Sequence, residues 1–355
     1  MMGFRSIVAG IGALGMAFLS AGAADAQDAP SFAGKTITMT IGFGAGGSVD
    51  LYGRTLGQYL VQHLPGKPSL VVLNQLGAGG VVALNSWAVK AEPNGLYVTI
   101  GAESQTDPDA LFRTQAKYDT TSFNYVGGLS AYSQGLFIAK DAAQRLTDKS
   151  QKPVLMGLVG STLRSGNYGV FWGAAVLGWN IKWVRGYPST AELRQALERG
   201  EIDMSTFGSS RDIKSLGDTG NFKIVMQGGT VKDGKRVPRA AFGSAPILAD
   251  LVKGKITDPL AQKAFDYSEN VSQVGMWLAL PPKTPKPIVD AYIKAFNATL
   301  QDPGYQADFA KIDPDSLVAS KADIEALVAK LHTVSPQTVE YIQDEMKRLD
   351  VDQTK

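Results

Sequence analysis

The chain has 355 residues, 44% of them hydrophobic and 19% charged, a balance that fits one or two globular domains and excludes a fibrous or disordered protein. A formal net charge of +2 without any dense Lys/Arg block argues against a nucleic-acid partner. Cysteine is absent and histidine occurs only as His63 and His332, which excludes disulfides and cysteine nucleophiles and leaves little scope for His-based or metal chemistry. No cofactor is expected.

Arg5, an apolar run at 7–19 and the Ala24-Asp25-Ala26 site describe a secretory signal peptide over 1–26 with cleavage after Ala26. That run is shorter than the roughly 20 residues that span a bilayer. Removing 1–26 takes away one Arg and one Asp, so the net charge of the mature chain is unchanged. The product is expected in the periplasm, as a monomer.

From 35 to 101 the pattern is strand, glycine loop, helix, strand, glycine loop, helix, strand. Strands alternating with helical runs predict an α/β fold with mostly parallel sheets flanked by helices. The first loop, Gly42-Phe43-Gly44-Ala45-Gly46-Gly47-Ser48, lies between the strand 36–41 and the helix 51–63. Gly-Ala-Gly-Gly recurs at Gly77-Ala78-Gly79-Gly80, again between strand and helix. Glycines tolerate positive φ, so successive N–H groups can turn inward, and the following helix adds its own free amides. Two such loops at the carboxyl edge of one sheet face one crevice, which Ala102-Glu103-Ser104-Gln105 borders after the third strand. Tight turns have the same composition, but the doubled tetrapeptide favours a carboxylate cradle. Asp50 would repel an anion beside it and is given a helix-terminal role.

Segments 125–129 and 135–139 read as a crossing into a second domain. That domain opens with a strand at 154–159, followed by the loop carrying Ser161, Thr162 and Arg164 and a helix at 168–177. Strand 181–184, a loop with Tyr187, Ser189 and Thr190, an amphipathic helix ending at Gly200, and strand 202–207 follow. The loop hydroxyls cap helices as readily as they contact ligands, and both uses can coincide. Arg164 and Arg211 are the cations near these loops, each a surface residue or a fork for a second carboxylate. Residues 228–238 read as an exposed hairpin or loop, and 276–280 as the return crossing. The helices at 288–300, 322–331 and 336–349 are placed on the first domain. The expected division is 27–132 plus 270–355 for domain one and 133–269 for domain two.

Nucleotide signatures fail: Gly47 is followed by Ser48-Val49 rather than Lys-Ser/Thr, and no acidic residue ends the second strand, where Leu73-Asn74 stands. A Gly-x-Ser-x-Gly elbow is also absent.

The stretches 41–50 and 74–80, with Glu92-Pro-Asn-Gly95, Tyr187-Pro-Ser-Thr190, Gly200-Glu-Ile-Asp203, Met276-Trp-Leu-Ala-Leu-Pro281 and Thr284-Pro-Lys-Pro-Ile-Val289, resemble the Bug-type periplasmic receptors of tripartite tricarboxylate transporters. The resemblance implies a two-domain Venus-flytrap binding protein, type II-like, with two crossing strands, that closes on a small organic carboxylate and serves a membrane permease. It implies ligand contacts from Phe43, Ala45, Gly46, Gly47, Ala78, Gly79 and Gly80, with Ser161, Thr162 and Tyr187 setting selectivity. Glycines at 42 and 44, where this family usually has proline, and Gln75-Leu76 depart from its pattern. The competing readings are a secreted enzyme acting on a small carboxylate or phosphate compound, which lacks a visible nucleophile and base, and a ligand sensor.

Overall fold

The computed structural model describes residues 30–106, 115–129, 134–160, 163, 165–232, 235–314 and 316–351. Strand β1 (Thr36–Ile41) leads to helix α1 (Ser48–His63), β2 (Ser69–Asn74) to α2 (Val81–Lys90), and then comes β3 (Tyr97–Ala102). β1 pairs in parallel with both β2 and β3, as strand–helix–strand units require. Strand β4 (Asn124–Leu129) closes this stretch, and β5 (Gly135–Ala139) already belongs to a second sheet.

The second sheet is completed by β6 (Val154–Val159), α3 (Tyr168–Leu177), β7 (Ile181–Tyr187), α4 (Thr190–Glu198), β8 (Met204–Phe207), α5 (Ser210–Asp218) and β9 (Phe222–Gln227). A small antiparallel pair, β10 (Thr230–Lys232) and β11 (Lys235–Val237), occupies the stretch read as a hairpin or loop. After α6 (Leu248–Val252) and α7 (Pro259–Val271) the chain returns through β12 (Met276–Leu280). It ends with α8 (Lys286–Gln301), α9 (Pro303–Ala310), β13 (Val318–Ser320), α10 (Lys321–Leu331) and α11 (Pro336–Arg348).

The sheets run β13-β4-β12-β3-β1-β2 and β7-β6-β8-β5-β9. Both are mixed rather than mostly parallel. β12 lies between β3 and β4 and runs against both, and β5 lies between β8 and β9 and runs against both. The reason is topological: a strand arriving from the other sheet enters at the junction end, so it must point the opposite way from the strands fed by helices.

One face of the first sheet packs Ile37, Met39 and Ile41 against Tyr52, Leu56 and Leu60 of α1 and Tyr292 and Phe296 of α8. Its other face begins a core that continues into the second sheet. Trp87, Phe123, Tyr125 and Trp277 form a series of edge-to-face and tilted aromatic contacts, and the same cluster reaches Trp172, Phe265 and Met204. α11 takes part in this shared core through Val339, Ile342 and Met346, spaced to share one helical face. Beyond it, Leu349 O accepts from Trp183 Nε1 and Val351 O from Arg185 Nε, both on β7. The last helix therefore ties the second sheet to the first, where the sequence placed it on the first domain alone. Its apolar stripe shows that one face is buried but not against which element.

Candidate functional site

The first glycine loop brings α1 to the boundary between the two sheets. Gly47 is the N-cap of α1, and no side chain caps the helix. Of its first-turn amides, Ser48 N donates across the boundary to Thr190 Oγ1 at 3.1 Å, and Leu51 N to Gly47 O. The N–H groups of Val49 and Asp50 have no partner among the described residues. Free amides at the positive end of a helix favour an anion.

Asp50 does more than sit at a helix end. Its carboxylate accepts from Gly46 N at 2.8 Å, from Arg54 Nε at 2.9 Å and from Asn74 Nδ2 at 2.8 Å. Asn74 Nδ2 also donates to Phe43 O, so this network ties the loop to the end of β2 and takes up the Gly46 amide. Burial pushes the Asp50 carboxyl up, but the hydrogen bonds from Arg54, Asn74 and Gly46 outweigh it and hold the group below its ordinary value. A depressed acid stabilises the fold above its ordinary titration range, and that contribution is lost as pH falls through the folded value. Asp50→Asn is expected to lower stability by about 2 kcal/mol at pH 7. In urea unfolding the gap to the parent protein should narrow at pH 2.5; an equal gap at both pH values would refute this role.

The second loop adopts four consecutive positive φ angles: 137° at Gly77, 41° at Ala78, 69° at Gly79 and 90° at Gly80. Only a glycine-rich segment accepts such a run without large strain. The loop packs behind the first one. A Cβ on Gly42 would lie 2.6 Å from Gly80 Cα, and Gln105 Nε2 donates to Gly80 O at 3.0 Å. The glycine at 42 is thus the means by which two backbones approach.

Opposite, Ser189 caps α4 through its hydroxyl, accepting from Glu192 N. A Cβ on Gly44 would come within 2.9 Å of Ser189 Cβ. Between the two sets of loops lies a cavity of about 70 Å³. Phe43, Gly47, Ser48 and Ser104 line it from the first-sheet side, and Ser189 and Thr190 from the other. Ala45, Gly46, Ala78, Gly79, Gly80 and Tyr187 are not among its lining residues, and Arg211 is exposed, with its N–H donating to Ile312 O. Ser161, Thr162 and Arg164 lie outside the described residues.

Sequence reasoning missed Val49, Asn167 and Thr206, which also line the cavity, as does Glu103. Glu103 was legible as part of the loop after β3. Thr206 lies inside a strand, where nothing local marks it.

A scan of protein-family models finds no match for this chain, and a search of curated proteins finds none either. Solved structures do match. The periplasmic binding protein BugD superposes with a TM-score of 0.65 over 89% of this chain and 98% of that one, at 22% identity. MatC from Rhodopseudomonas palustris, with bound malate, gives 0.62 over 87% and 98% at 18% identity. Rpa4515 of R. palustris, with adipate, gives 0.64 over 89% and 98% at 19% identity. The chain has the fold of the Bug-type periplasmic binding proteins. The cavity described above lies between the loops of its two mixed α/β sheets.

Proposed function

We propose that this protein is an extracytoplasmic solute-binding receptor that captures a small organic carboxylate between its lobes and delivers it to a permease of the tripartite tricarboxylate type. The observation that carries this reading is the uncapped N-terminus of α1, whose Val49 lines the interlobe cavity while the Val49 and Asp50 amides remain without partners. Each hydrogen bond to a charged group contributes about 1.5–3 kcal/mol, and micromolar binding requires about 8 kcal/mol, so a few such donors suffice without a dedicated cation. The malate and adipate bound to MatC and Rpa4515 support the ligand class.

The periplasmic location, cleavage of 1–26, a monomeric state and the lobe division at 27–132 plus 270–355 and 133–269 belong to the same proposal. No helix among the described residues is long and apolar enough to cross a membrane. A receptor is favoured over an enzyme because the two histidines are engaged elsewhere: His63 with Asp302 and His332 with Thr120, neither lining the cavity. A thermal-shift screen over mono-, di- and tricarboxylates tests the reading. A carboxylate should raise the melting temperature; if only amino acids or sugars did so, the ligand class would be wrong.

A further inference from the structure

Asn167 is the N-cap of α3, yet its side chain makes no capping bond. Asn is among the strongest capping residues, so its use elsewhere needs a cause. Its Oδ1 accepts from Thr206 Oγ1 at 2.8 Å inside the second lobe. With Oδ1 accepting from Thr206, both N–H bonds of the Asn167 amide are left to donate elsewhere. The Asn167 amide N–H pair then has no partner among the described residues, on a side chain only 9% exposed that lines the cavity. Ser104, 7% exposed, also lines the cavity and likewise has a hydroxyl with no partner among them.

Resting on the carboxylate reading above, we infer that Asn167, oriented by Thr206, reads the far end of the ligand, and that the ligand is a short monocarboxylate bearing a neutral acceptor oxygen, a hydroxyl or carbonyl. The amides of α1 and the Ser104 hydroxyl take the carboxylate; Asn167 donates to the second oxygen. The size of the cavity selects against a long dianion. The cavity, at about 70 Å³, is well below the roughly 300–1,000 Å³ of sites for larger ligands.

Isothermal titration with propanoate, lactate, pyruvate and succinate tests this. Lactate or pyruvate should bind at least about 10-fold more tightly than propanoate, the size of one added hydrogen bond in a buried site. Asn167→Ala and Thr206→Val should each remove that preference while propanoate still binds, and Thr206→Ser, which keeps the hydroxyl, should retain it. A merely structural loss would weaken all ligands alike and leave the ratio intact. Succinate binding most tightly, or the preference surviving in Asn167→Ala, would overturn the inference while the receptor reading stood. Binding of no carboxylate at all would overturn both.

Discussion

Replacing Arg239 with Met should lower the melting temperature by about 4–7 °C, the equivalent of about 3–5 kcal/mol in a chain of this length. Arg239 belongs to the second lobe, where its N–H donates to Gln227 Oε1 and its guanidinium to Gly208 O. From there Nη2 reaches Asp313 Oδ1 at 2.5 Å, between α9 and β13 of the first lobe. Asp313 is buried and also accepts from Tyr52 Oη of α1 at 2.6 Å and from Ser210 Oγ at 3.2 Å. Removing the guanidinium leaves a buried carboxylate without its cation, which costs far more than the pair contributes when whole. The double variant Arg239→Met/Asp313→Leu should therefore recover most of the loss. The exposed pair Lys214–Asp218 is the internal control, since Lys214→Met should shift the melting temperature by less than about 1 °C. An Arg239→Met protein that melts with the parent would show that the lobes are not held together here.

Gly44→Leu should weaken carboxylate binding by about 100-fold. Gly44 has no positive φ, so its backbone accepts a side chain. The obstacle is the other lobe: a Cβ would stand 2.9 Å from Ser189 Cβ and 3.2 Å from Pro188 O. Side chains pushed into this contact hold the lobes apart, and the Ser48 N–H to Thr190 bond goes with them. A ligand then keeps its contacts with α1 but loses those from the second lobe, about 2–3 kcal/mol for one or two hydrogen bonds. Titration calorimetry with whichever carboxylate the thermal screen identifies measures this. Unchanged affinity would mean that binding does not require the lobes to meet at Gly44.

Two of the departures from the family pattern thus gain a physical account. Gly42 lets two loops of one lobe pack together, and Gly44 lets the two lobes touch.

Much of the architecture is a matter of local chemistry, and it was legible in the residues alone. Alternating apolar runs mark β1, β2 and β3; the glycine stretches at 42–47 and 77–80 interrupt them; Gly200 stops the helix before it. These are effects of neighbouring φ/ψ preferences and side-chain period, which a few consecutive residues decide. The twin glycine loops were recognisable for the same reason. Their arrangement was not: that one loop lies behind the other depends on Gly42 meeting Gly80, 38 positions away, with Gln105 filling the gap.

What only the tertiary structure decided is the direction of the returning strands, the ion pair between Arg239 and Asp313, and the membership of the cavity wall. Asn167 and Thr206 stand 39 positions apart, and each is unremarkable in its own segment. Their meaning arises when α3 and β8 place a donor and an acceptor 2.8 Å apart beside a cavity. Backbone propensity acts over a few residues and is written in the chain order; which polar groups are buried together, and which of them remain without a partner, is set by packing between segments distant in sequence.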